Sequence, residues 1–291
     1  MPGTEISARG VGLYGKLPAR GDFISRRFDA EFVRDWDKWL QRIIGESRER
    51  LGSAWLESFL AAPVWRFAVP AGMFSSSAWV GLMLPSVDRV GRYFPLTLAA
   101  SMGSGNIDIP STLAKALPWL DSLEELALQA LLPDLDVELF DSKLMQHALP
   151  DGLPVLSPIS EDTIPLEVSA PTFVVWRMPP GAAETWIDRL LQEPLIGART
   201  ASAVWMTRGG DTVAASAALC SDLISGAQYC AMLDGRWSEH AWSVAPGALY
   251  CDPLVPGVDF PGAQGKSAED PQLSAHPNQE ERTAMDSKSA Q

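Results

Sequence analysis

Histidine and cysteine are scarce in this 291-residue chain, with three of each. Cys220, Cys230 and Cys251 form no CxxC pair and match no zinc-ligand or redox spacing, so they read as reduced, mostly buried thiols of a cytosolic protein. His147, His240 and His276 belong to no HExxH motif. The chain also lacks GxSxG, a Cys–His catalytic signature and the carboxylate spacing of an EF-hand. The expectation is therefore no metal, no cofactor and no catalytic residue. Positive charge is short as well. The 23 Lys and Arg against 36 Asp and Glu give a net charge of −13, the wrong sign for general affinity to nucleic acid or acidic lipid. No apolar signal-peptide core stands near the start. The longest uncharged stretch, 67–87, is broken by Pro70, Gly72 and Pro85 and reads as strand, loop and strand rather than a membrane span. No direct membrane insertion and a cytoplasmic location are expected.

What is present is a globular composition, 46% hydrophobic and 20% charged. A chain of this length buries about three quarters of its unfolded surface on folding. Eleven Trp residues demand packing partners. Charge is uneven: residues 1–50 carry a net +2 within an otherwise acidic protein.

Residues 11–15 read as a short strand, followed by a Gly-, Pro- and Arg-rich loop from Lys16 to Phe28. A helix follows over 30–51, with Phe32, Trp36, Trp39, Leu40, Ile43 and Ile44 on one face, Asp29 as N-cap and Gly52 beyond its end. A second helix covers 54–61. Strands are expected over 64–69, 79–84 and 93–100, then a Leu-rich helical region over 112–132 divided at Pro118, with Asp121 and Glu124 as a capping box for its second half. Helix 136–147, a proline-rich connection over 148–171, strand 172–177, helix 182–192, strands 201–206 and 212–219, and helix 225–233 complete the order. Interleaved helices and strands, with apolar strands in the middle, indicate an α/β three-layer sandwich: a mixed β-sheet with helices on both faces. One domain over 10–256 is favoured, with a disordered tail over 257–291 rich in Pro, Gly, Ser, Gln and Glu.

Two loops stand out chemically. Lys16, Arg20, Arg26 and Arg27 crowd the first with Asp22, and Asp88, Arg89 and Arg92 occupy the second, between two apolar strands. Arginine forks favour carboxylate or phosphate partners. The plain alternative is internal pairing of Arg20 or Arg26 with Asp22. If strands 11–15 and 79–84 run parallel, both loops leave the same sheet edge, where α/β folds place binding sites. The segment from Gly12 to Leu17 is no phosphate loop, because its glycines are too close and no Ser or Thr follows Lys16. Arg20-Gly21-Asp22 is an adhesion tripeptide by coincidence only.

Tyr14-Gly15-Lys16-Leu17-Pro18-Ala19-Arg20-Gly21-Asp22-Phe23, continuing through Arg26-Arg27, closely resembles the opening signature of the TagF (ImpM) family of type VI secretion accessory proteins. Trp36 and Trp39-Leu40 fit that family's W..WL helix, and the stretch from Gly81 to Thr97, with Ser86-Val87-Asp88-Arg89-Val90-Gly91-Arg92 at its centre, resembles its second signature. Ser202–Thr207 and Met232-Leu233 are similar to its later elements. Met206 stands where a second Trp is usual, and Ser221-Asp222-Leu223-Ile224 lacks the usual Gly-Leu-Pro. The resemblance implies an α/β sandwich, a cytoplasmic location, no catalytic activity, and post-translational regulation, generally repression, of secretion-apparatus assembly with a forkhead-associated-domain protein. Some relatives are fused to a PP2C-type phosphatase, whose Asp-Gly metal motifs are missing here. The expected partner-binding residues are Lys16, Arg20, Asp22, Arg26, Asp88, Arg89 and Arg92, with Tyr14, Phe23 or Tyr93 as aromatic anchors if exposed. The competing reading is an enzyme or a small-ligand or anion-binding protein, with a sheet-edge pocket lined by Arg20, Asp22, Asp88 and Arg92.

Overall fold

Alternate residues of the central strands send large apolar side chains to opposite faces of a sheet, so both faces must be covered. A computed structural model of the protein describes residues 10–105, 107–152, 173–178 and 202–245. Nine strands form one sheet: β1 (Gly12–Gly15), β2 (Ile24–Arg26), β3 (Trp65–Val69), β4 (Ala78–Leu84), β5 (Leu96–Gly103), β6 (Phe173–Arg177), β7 (Ala203–Thr207), β8 (Ser216–Cys220) and β9 (Ser243–Val244). Their order is β2-β1-β5-β4-β3-β7-β8-β6-β9. Every pair is antiparallel except β6 with β9, so the sheet is mixed. Strands from both sides of the proline-rich connection share this sheet.

The described helices are α1 (Ala30–Leu51), α2 (Trp55–Ala61), α3 (Ile109–Gln129), α4 (Val137–Gln146) and α5 (Gly226–Asp234). On one face Val80, Leu82, Leu84, Leu96 and Leu98 pack with α3 and α4. On the other, Trp65, Phe67, Trp79, Trp205 and Ala218 pack with α1, α2 and α5. This is the three-layer α/β sandwich. Its second layer is aromatic: Trp36 lies 5.0 Å from Phe67 and 4.7 Å from Phe74, centroid to centroid. Buried indoles need a partner for their N–H. Trp36 donates to Thr97 Oγ1, Trp39 to the Ile224 carbonyl, Trp65 to that of Met232 and Trp79 to Ser75 Oγ, all at 2.8–3.1 Å. These bonds pin α1 and α5 to the sheet, and burying each ring contributes roughly 1.5–3 kcal/mol.

Helix ends follow local rules. Asp29 accepts from Phe32 N at the start of α1, and Ser225 with Gln228 forms a capping box on α5. Several boundaries differ from expectation. The segment after Lys16 is not loop throughout, because Ile24–Arg26 adds an edge strand to β1. The strand expected over 93–100 starts at Leu96, since Pro95 has no N–H to offer the ladder. The strand expected over 212–219 is shorter, because 208–215 form the β7–β8 turn. Pro118 does not divide the Leu-rich helix. Asp108 caps α3, Pro110 sits in its first turn, and the helix runs unbroken because Leu113, Leu117, Leu120 and Leu123 hold it on the sheet at the cost of one backbone bond. The residues read as a capping box do other work. Asp121 Oδ1 lies 2.6 Å from Arg66 Nη1, and Glu124 Oε2 accepts from Arg66 Nη2 at 2.6 Å. Arg66 is 1% exposed in a central strand, and these carboxylates offset the desolvation of its guanidinium. Cys220 and Cys230 are buried free thiols. Helix 182–192, most of the connection, Cys251 and the 257–291 tail lie outside the described residues. No described helix is long and apolar enough to cross a membrane.

Arg66→Ala removes a buried side chain and its two ion pairs and leaves a void against α3, although Asp121 keeps Arg208, and is expected to cost about 3 kcal/mol in urea unfolding. Arg66→Met refills the volume and costs less, since Asp121 and Glu124 reach water. Both variants unfolding at the wild-type urea concentration would contradict this account of the buried charge.

Candidate functional site

Strands β1 and β4 are each antiparallel to β5 and therefore parallel to one another. The loops that follow them, 16–23 and 85–95, emerge at one end of the sheet and touch. Gly15 makes the first turn possible. Its φ is +132°, and a Cβ there would stand 2.2 Å from the Pro95 carbonyl oxygen. Ser86 Oγ donates to the Lys16 carbonyl at 2.7 Å, and Arg89 N donates to the Arg20 carbonyl at 2.9 Å. Arg92 donates to the Gly21 carbonyl. The second loop closes on itself through Phe94 N to the Ser86 carbonyl and a turn at Gly91, where φ is +84°.

Asp88 holds the junction. Its carboxylate accepts from Lys16 Nζ at 2.8 Å, Arg92 Nε at 2.6 Å, Arg92 N at 2.9 Å and Val90 N at 3.0 Å. Burial alone would raise its pKa. The hydrogen bonds from Lys16, from Arg92 and from the Val90 amide outweigh burial and hold the carboxyl well below the usual Asp range. The Lys16 ammonium also sits 5.0 Å from the centre of the Phe23 ring, which packs in turn on Phe94 at 4.8 Å. Tyr14 donates to Asp37 on α1 at 2.5 Å, and burial followed by that bond pushes its hydroxyl pKa upward.

The seven residues expected to meet a partner therefore divide. Lys16 and Asp88 are 5% and 3% exposed and serve as an internal clasp rather than as contacts. Arg20, Asp22, Arg26, Arg89 and Arg92 are exposed. Arg20 and Arg26 do not pair with Asp22. Arg20 leans toward Glu138 of α4 at 3.4 Å, Arg26 bonds the Ser25 carbonyl, and Asp22 lies 4.0 Å from Arg92. Arg27 is committed inward, bidentate to Asp141 and bonded to the Val11 carbonyl. Of the three aromatics, Tyr14 is buried and Tyr93 half-buried, which leaves Phe23, 49% exposed, to face solvent. Asp22 is fully exposed and Asp88 enclosed, so the two carboxylates that the small-ligand reading places in one lining differ in their access to solvent.

Sequence reasoning missed three parts of this surface. Val90 stands 67% exposed at the tip of the second loop, and its place between Arg89 and Gly91 in a turn was the available signal. Glu138 and Asp141 meet Arg20 and Arg27 from α4, a contact between distant segments that no local pattern carries. Among the described residues, no group of three or more His, Cys, Asp or Glu side chains is placed to hold a metal.

A depressed carboxyl contributes stability that is complete above the ordinary Asp range near pH 4 and is lost as pH falls toward its folded value. Asp88→Asn is therefore expected to lower Tm by several degrees at pH 7 and to flatten its decline between about pH 4 and 2.5. Parallel melting curves across that range would show that Asp88 is not the clasp.

The comparisons with known proteins agree with this geometry. The TagF N-terminal domain, described as type VI secretion system-associated, matches residues 12–147, which contain both loops. Among solved structures, PA0076 from Pseudomonas aeruginosa PAO1 is similar at 30% identity with a TM-score of 0.64, covering 86% of this chain and 100% of that one. A comparison with curated proteins finds no match. With the family's N-terminal domain matched over residues 12–147 and a structural relative of 30% identity covered over its full length, the chain belongs to the TagF family of type VI secretion system-associated proteins.

Proposed function

We propose that this protein is a non-enzymatic regulator that acts in the cytoplasm by protein contact, binds a forkhead-associated-domain scaffold of the secretion system, and restrains assembly of the apparatus. The carrying observation is the clasped pair of loops. Asp88 and Lys16 are spent inside, and Arg20, Arg89 and Arg92 are held outside beside exposed Phe23 and Val90. Arginine and aromatic groups on a rigid base are the composition of an interface hot spot. A preformed loop also loses less conformational freedom on binding. Forkhead-associated domains read phosphothreonine with their own arginines. The face of the scaffold that meets these loops is therefore an acidic one, distinct from its phosphopeptide site.

Thiol chemistry is a poor fit to the described cysteines. Burial pushes the Cys220 thiol well up, and burial followed by the nearby Asp234 charge pushes Cys230 up to about 11.

Arg20→Ala/Arg89→Ala removes two exposed forks and leaves the clasp whole. Recovery of the forkhead-associated protein from cells carrying the secretion genes is expected to fall at least tenfold, equivalent to about 1.4 kcal/mol. Unchanged recovery by a folded double variant would place the contact elsewhere.

A further inference from the structure

Helix α1 carries a second feature, separate from the arginine loops. Asp35, Lys38, Trp39 and Arg42 fall at i, i+3, i+4 and i+7 and share one side of the helix over about 10 Å. Met73 and Phe74, in the turn after β3, and Leu223, after β8, face them across a hollow of about 340 Å³. A volume of that size is in the range of ligand clefts, roughly 300–1,000 Å³.

The floor offers apolar surface and no spare polar group. Trp39 Nε1 is already spent on the Ile224 carbonyl at 2.8 Å, and Phe74 packs edge-on against Trp39 with centroids 5.3 Å apart. The solvent side is cationic. Asp35 also lines the hollow; Arg34 holds it through two bonds of 2.9 Å and it attracts Lys38 as well, so the cationic part of the wall is the stretch from Lys38 to Arg42. Lys38 and Arg42 are exposed and make no ion pair within 4.0 Å with any described residue. On a chain of net charge −13, two exposed cations against one carboxylate beside an apolar floor form a local excess of positive charge.

Spacing selects the occupant. Lys38 and Arg42 stand one helical turn apart, about 6 Å along the axis. In an extended peptide, side chains two residues apart point the same way and are separated by about 6.6 Å, while the residue between them points the other way. We propose that the hollow is a docking site for an extended acidic segment of a partner protein with the pattern acid–apolar–acid. Its carboxylates meet Lys38 and Arg42 on α1, and the apolar side chain between them points across the hollow onto Met73 and Leu223. This site is distinct from the clasped loops and does not depend on their role.

The test is a titration of the full-length, isotope-labelled protein with acetylated, amidated Glu-Phe-Glu, followed by amide shifts. Shifts are expected at residues 38, 42, 73 and 223. Lys-Phe-Lys and Glu-Ser-Glu peptides should each bind at least tenfold more weakly. Lys38→Glu/Arg42→Glu, which changes only exposed side chains, should keep the wild-type spectrum and lose binding by the same factor. Arg20→Ala/Arg89→Ala should bind the peptide as wild type does, which separates this site from the loops. Absence of shifts, equal affinity for the three peptides, or retained binding by the charge-reversed variant overturns the proposal. So does 3-phenylpropionate binding as tightly as Glu-Phe-Glu, which would make the hollow a small-anion site.

Discussion

A carboxylate removed from water must recover in hydrogen bonds what it loses in hydration, and Asp88 recovers it from four donors on two loops far apart in sequence. Lys16 and Arg92 reach it through their side chains, and the amides of Val90 and Arg92 reach it through the backbone. Each loop thus finds its shape by binding the other. The Arg89 amide on the Arg20 carbonyl and Ser86 on the Lys16 carbonyl repeat the same cross-link. Without Asp88, Lys16 would be a buried ammonium lacking its counter-charge, and the outer arginines would lose their common base.

The clasp depends on the sheet beneath it. Two antiparallel steps through β5 make β1 and β4 run the same way, and that parity delivers both loops to one end. The aromatic layer under α1 keeps the parity rigid, since its indoles fill space and also spend their N–H groups on named partners. Local backbone, sheet topology, core packing and surface charge all specify the same arrangement, which is the mark of a minimally frustrated site.

Much of this was legible before any coordinates. Helix α1 announced itself through its tryptophan spacing and its Asp29 cap, and the arginine loops through the density of one charge sign in an acidic chain. The parallel relation of β1 and β4 is a supposition in the sequence, and it is the pairing of both with β5 that establishes it. What escaped notice had a physical reason each time. Pro118 was read as a break because local propensity opposes it, whereas tertiary burial of the surrounding leucines prevails. Arg66 carries no local signal of its role, because its answering carboxylates lie on a helix more than fifty residues away. Lys16 and Asp88 were counted as surface contacts because sequence displays charge and conceals burial. Ile24–Arg26 was too short for its alternation to show.

The function proposed here is recognition by a prepared surface. Rigid arginine forks with a half-exposed Phe23 suit an acidic protein face, and the clasp explains how they remain poised without a ligand. The central claim is that these two loops together are the contact. Hydrogen exchange of the whole protein, with and without the purified forkhead-associated-domain protein proposed as its partner, tests it most directly. The account predicts new amide protection over 20–23 and 89–92 together. Protection confined to other surfaces, with both loops exchanging as in the free protein, would contradict it.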